Sequence, residues 1–174
     1  MNDRTAIQLI KILVVVGVLG IGTAIFFGRG GALGSQAPPT TSLAGIQRID
    51  GVSEPLPIGQ GKPAFVNVWA TWCGPCLQEL PSLVEASKAY QGRVAFVGLA
   101  TDSTIDDVKK IIERFSIPYP MALADDAASA SWGVQALPTS FVVDGAGTIV
   151  WSHSGSLTRA ELDDGLKRLD PDSP

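Results

Sequence analysis

Apolar residues fall along this chain in two textures. Between residues 7 and 27 (IQLIKILVVVGVLGIGTAIFF) they run almost unbroken, and Lys11 is the single charge. About 20 residues of helix cross a hydrocarbon core, so residues 7–28 read as a transmembrane signal-anchor helix with Lys11 reaching to the interface. Gly17, Gly20, Gly22 and Gly28 would weaken a water-exposed helix but suit a membrane one. A cleaved leader fits less well: the run exceeds the usual apolar core of about 7–15 residues, and the small-x-small candidate Ser35-Gln36-Ala37 is followed by Pro38. Arg4 and Lys11 before the run outweigh Arg29 after it, which favours residues 1–6 as a short cytoplasmic N-terminus. Residues 29–44, rich in Gly, Pro, Ser and Thr, read as a flexible linker, leaving 45–172 as the folded domain.

In that domain, apolar runs alternate with turn signals. AFVNVWA (64–70) and VAFVGLA (94–100) read as buried strands. Between them, Leu77, Leu80, Leu83, Val84 and Ala86 share one face of a helix over 76–90, with a kink predicted at Pro81. IDDVKKIIERF (105–115) reads as an amphipathic helix capped by Ser103 or Thr104, its acidic first turn matching the helix dipole. Residues 120–124 form a weak strand candidate and 125–132 a short helix. Strands at 139–143 and 148–151 flank Asp144-Gly145-Ala146-Gly147 as a hairpin, and Leu162, Leu166 and Leu169 mark a last helix over 157–169. This order predicts an α/β fold: a mixed sheet flanked by helices, its parallel part joined by right-handed crossovers and an antiparallel hairpin at one edge.

Charge then narrows the function. The 174 residues carry a net charge of −4, and without Asp3, Arg4, Lys11 and Arg29 there remain 10 basic against 16 acidic residues, a domain charge of −6. With no basic run, a nucleic-acid partner is excluded. The two cysteines, Cys73 and Cys76, lie three apart. A disulfide between them closes too short a loop to staple a fold, so the pair reads as chemistry.

Trp72-Cys73-Gly74-Pro75-Cys76 sits where a strand gives way to a helix. Unpaired N–H groups and the positive dipole end there stabilise a thiolate, bringing the first cysteine below its free pKa near 8.5. Cys73 is therefore expected to be the exposed nucleophile and Cys76, one turn inward, the resolving thiol, with Gly74 and Pro75 keeping the sulfurs close. Haem attachment would need His at Leu77, and a zinc site needs four ligands where the chain offers two cysteines and the distant His153. No metal or cofactor is expected. Trp72 reads as an apolar wall of the site, Trp69 as core filler, Trp132 and Trp151 as packing, Thr71 as a strand-end residue and His153 as a surface histidine.

WATWCGPCLQELP, followed by SWGVQALPTSFVVDGAGTIVWSHSG, resembles thioredoxin-fold proteins of the TlpA/ResA type over residues 45–170. The resemblance implies a thioredoxin-like fold and makes Pro138 the cis-proline opposite Cys73. The Leu137-Pro138 loop would then offer backbone to an extended substrate segment. Thioredoxin itself has a buried carboxylate six residues before the nucleophile, where this chain has Asn67, which cannot serve as a base. Glu79, one helical turn past Cys76, could assist proton transfer through water, although a solvated helix-face acid or an ion-pair partner is the expected role.

The resemblance implies a membrane-tethered thiol:disulfide oxidoreductase in an extracytoplasmic space, periplasmic or cell-surface. It would reduce disulfide-bearing proteins, apocytochrome c during cytochrome c biogenesis among them, with electrons from a transmembrane thiol protein. The alternatives are an oxidant that forms disulfides in secreted proteins and a noncatalytic partner-binding module. The cysteine context lacks a peroxidase pattern.

Overall fold

The computed structural model describes residues 41–169. The span and most of the linker read from the sequence lie outside them; among the described residues no helix is long and apolar enough to cross a membrane. The elements are β1 (Ile46–Arg48), β2 (Ala64–Trp69), α1 (Gly74–Ala89), β3 (Ala95–Ala100), α2 (Ile105–Phe115), β4 (Met121–Ala124), α3 (Asp126–Ser131), β5 (Thr139–Val143), β6 (Ile149–Ser154) and α4 (Arg159–Lys167).

Six strands form one sheet in the order β1-β4-β3-β2-β5-β6. The β2–β3 and β3–β4 pairs are parallel, and β1, β5 and β6 join antiparallel. Because β2→β3→β4 steps in one direction, right-handed crossovers put both connecting helices, α1 and α2, on one face. Leu162 and Leu166 bring α4 to that face, against Phe65, Leu83 and Phe96. The other face packs Val66, Val68, Val97 and Leu99 under α3 and Trp132. Central β2 is buried at all six positions, as a strand covered on both faces must be.

Local signals act as read. Thr104 caps α2, accepting from Asp107 N–H at 3.2 Å, and Asp125 caps α3. At the β5–β6 turn Asp144 Oδ1 accepts from the N–H groups of Ala146 and Thr148, and Gly147 holds φ of +90°. Helix α1 runs through Pro81 as one 16-residue helix, with Pro81 on its exposed side. The antiparallel edge strand β1 was not read from the sequence. At the end of the expected linker, Thr41 N–H donates to Gly147 O (2.9 Å) and Trp132 Nε1 donates to Ser42 O (2.7 Å).

Gly98 lies between Asn67 on β2 and Met121 on β4. A Cβ there would overlap Met121 Sδ and approach Trp69 Nε1 at 3.2 Å. Gly98→Ala is therefore expected to cost about 1–3 kcal/mol through overpacking, read as a lower denaturant midpoint at unchanged slope.

Candidate active site

Strand β2 ends at Trp69, and the chain turns through Ala70–Cys73, closed by Cys73 N–H to Ala70 O at 3.1 Å. Cys73 becomes the N-cap of α1 and its Sγ accepts from Cys76 N–H at 3.3 Å. The sulfurs are joined in a disulfide with the Cα atoms 5.3 Å apart. Cys76 is fully buried and Cys73 is 5% exposed, so Cys73 is the more accessible sulfur. It is far less open than expected, because the cluster holding both cysteines also packs against Leu77 and Leu137. Gly74 and Pro75 are exposed beside it.

Trp72 is 63% exposed, and its indole is pinned by Nε1–H to Asp102 O at 3.0 Å. Thr71 is more than a strand-end residue: its N–H donates to Ser103 Oγ (3.0 Å), and its hydroxyl bonds the same oxygen at 3.2 Å. The β3–α2 loop thus braces the redox turn. Beside Trp72 a groove of about 1020 Å³ extends past Ala100, Asp102 and Leu123 to Asp125.

The Leu137–Pro138 peptide is cis. Pro138 is buried and its carbonyl accepts from Gly155 N–H at 2.8 Å, so of the two residues Leu137 remains to offer its backbone oxygen.

Glu79 overturns the expectation of a solvated acid, being only 5% exposed. Its Oε1 accepts from Asn67 Nδ2 and its Oε2 from Leu157 N–H, both at 2.9 Å. The physical reason lies on β2: Asn67 points its polar end into the α1 face, and a buried amide requires partners. Asn67 Nδ2 also donates to Ser140 Oγ at 3.1 Å. Ser140, which sequence reasoning missed, faces Asn67 across β2–β5 and His153 across β5–β6, a row of polar positions across three strands.

Burial pushes the Glu79 carboxyl above its ordinary value, against the opposing pull of Leu157 N–H, Asn67 and the charge of His153. Burial, with the Glu79 charge second, likewise pushes up the Tyr119 phenol. His153 is half-buried, stacked on Trp151 at 5.9 Å between ring centroids. It therefore belongs to the electrostatic surroundings of the site. His153→Ala is expected to raise the Glu79 midpoint further, because a nearby positive charge favours the carboxylate, followed by carboxyl carbon NMR. An unmoved midpoint would remove His153 from the site. Among the described residues no cluster of three His, Cys, Asp or Glu side chains is placed to hold a metal.

A CxxC disulfide capping a helix that follows a central strand, with a cis-proline loop among its packing neighbours, defines a thioredoxin-like thiol–disulfide oxidoreductase. The chain belongs to the Redoxin family, whose profile matches residues 34–166. It is 30% identical over 141 residues to the thiol-disulfide oxidoreductase ResA of Bacillus thuringiensis, covering 80% of this chain and 79% of that one. The crystal structure of a thiol:disulfide interchange protein of the thioredoxin family from Chlorobium tepidum superposes with a TM-score of 0.57 at 27% identity, over 67% of this chain and 97% of that one. A DsbF homologue from Corynebacterium diphtheriae shares the fold, with a TM-score of 0.66 at 21% identity over 81% of this chain and 96% of that one. The chain is a thiol-disulfide oxidoreductase of the ResA/DsbE type.

Proposed function

We propose that the chain works as a reductase of disulfides in partner proteins, held to a membrane by residues 7–28 with its domain on the extracytoplasmic side. Apocytochrome c before haem attachment is the substrate suggested by the likeness to ResA-type proteins, and a transmembrane thiol protein the electron donor. The observation that carries the exchange cycle is the asymmetry of the pair: Cys73 caps the helix as the more accessible sulfur, 5% exposed, and Cys76 lies fully buried one turn from a buried carboxyl.

In the reduced protein, the Cys73 thiolate, favoured at a helix start, attacks one sulfur of the partner disulfide. A mixed disulfide forms and the first partner thiol leaves. Cys76 gives its proton to the Glu79 carboxylate, and its thiolate attacks Cys73 Sγ. The Cys73–Cys76 bond closes as the bond to the partner breaks. Two electrons pass to the partner, and an external dithiol must restore the pair. Trp72 walls the approach, and a substrate strand pairing with the Leu137 backbone would hold the target sulfur in line.

Direction is tested by the reduction potential. A value near thioredoxin's roughly −270 mV supports the reductase, whereas one near the roughly −120 mV of DsbA would overturn it in favour of a disulfide-forming oxidant. Cys76→Ser should leave Cys73 locked to its natural partner, recovered as a reducible conjugate from cells. Failure to recover any conjugate would count against exchange with proteins.

A further inference from the structure

The side chain of Asn67 presents an asymmetry that catalysis leaves unexplained. Nδ2 makes both of its hydrogen bonds, to Glu79 Oε1 (2.9 Å) and Ser140 Oγ (3.1 Å), while Oδ1 is buried without a partner among the described residues. A buried carbonyl in that state is unfavourable and asks for a reason. The two partners share a property: each can be acceptor or donor, the serine hydroxyl by rotation and the carboxyl by taking up a proton. The two N–H bonds of an amide and the two lone pairs of its oxygen lie in one plane with similar spread. A half-turn of the Asn67 amide therefore places two acceptor sites where two donors had been.

We propose that Asn67 is a reversible positioning residue for Glu79, its amide donating to the ionised carboxylate and, turned over, its carbonyl accepting from the protonated acid. When the Cys76 proton moves to a Glu79 oxygen, the acid can donate to Asn67 Oδ1 and Ser140 can donate to the second lone pair. Each orientation leaves one end of the amide without a partner, so the proton on Glu79 decides between them. The remaining contact, Leu157 N–H to Oε2, persists in both states. The groups acting on Glu79 are Asn67 on β2, Tyr119 ahead of β4, His153 on β6 and the Leu157 N–H ahead of α4, with Ser140 on β5 reached through Asn67 and Cys76 one turn back on α1. Of the two hydrogen-bond partners of Glu79, only Asn67 offers both donors and an acceptor on one rigid pivot. Aspartate there would set a second carboxylate against the first, and an apolar residue would strand both Glu79 Oε1 and Ser140 Oγ.

This inference rests on the exchange cycle proposed above, and its first test does not. In the full chain, NMR follows the Glu79 carboxyl carbon and the contacts of the Asn67 amide protons through a pH titration. The expected result is that contacts from these protons to the Ser140 side chain, strong above the Glu79 midpoint, fall severalfold below it. Contacts that stay constant through the midpoint overturn the proposal. The second test mixes reduced protein with dithiobis-nitrobenzoate, which releases one coloured thiolate as Cys73 attacks and a second as Cys76 closes the disulfide. Asn67→Leu should leave the first phase unchanged and slow the second roughly tenfold at neutral pH, less than the roughly hundredfold or more that proton transfer itself contributes, because Glu79 is still present. An unchanged second phase overturns the proposal. A wild-type chain with no second phase would instead overturn the exchange cycle, while the amide contacts still decide the role of Asn67, including when Asn67→Leu does not fold.

Discussion

Cys73→Ser is expected to lower disulfide reduction by at least about a thousandfold in an insulin or peptide-disulfide assay. The hydroxyl is a far weaker nucleophile, because thiolate attack is the step that opens the partner disulfide. Cys73 is the N-cap whose Sγ accepts from Cys76 N–H, and serine can keep that cap. The fold should persist, since the disulfide closes a short loop and constrains the unfolded chain little. A variant that keeps its thermal midpoint but loses activity identifies Cys73 as the nucleophile. A variant that keeps its activity, or a wild type that binds partners without reducing them, would turn the reading to a binding module.

Glu79→Gln should split activity and stability in opposite directions. Removing the proton acceptor is expected to slow closure of the Cys73–Cys76 disulfide by about a hundredfold at neutral pH and to flatten its pH dependence, the size general-base groups contribute. Stability moves the other way. Burial raises the Glu79 midpoint in the folded protein, so between the unfolded and folded values the folded state binds more protons than the unfolded chain. Stability contributed by this group is therefore present at low pH and lost as pH rises through the folded value. Gln has no such loss. The variant should gain thermal stability relative to wild type as pH rises from about 4.5, the ordinary carboxyl range, toward neutrality. Parallel melting curves across that range would show that burial does not raise the Glu79 midpoint, and an unaltered closure rate would show that Glu79 plays no proton-transfer role.

Long, strongly patterned elements were legible from the residues: β2 and β3 as apolar runs, α2 from its period and its Thr104 cap, the hairpin from Asp144–Gly147. Three residues of β1 (Ile-Gln-Arg) carry too few positions to show an alternation, and only pairing with β4 makes them a strand. Glu79 was misplaced for a different reason. The apolar stripe of α1 runs through Leu80, Leu83 and Val84, and Glu79 beside it looks solvated until the sheet beneath is known. The signal was nevertheless present in Asn67, a polar residue inside AFVNVW: a strand covered on both faces cannot leave an amide unpartnered, so some helix residue had to reach it. Ser140, set in a run of apolar residues, was the same kind of signal. Neither the pinning of Trp72 by Asp102 nor the Gly155–Pro138 bond could be read locally, since each joins residues far apart in sequence.

The hydrogen bonds of Thr41 to Gly147 give the domain a polarity. Gly147 sits in the turn that follows β5, whereas Pro138 and, across on β2, the approach to Cys73 lie at the other end of those strands. At about 3.3 Å per residue this is roughly 20 Å of sheet. The described chain thus begins at one pole of the sheet and carries its more accessible sulfur at the other. A partner that reaches Cys73 therefore meets the end of the sheet farthest from Thr41.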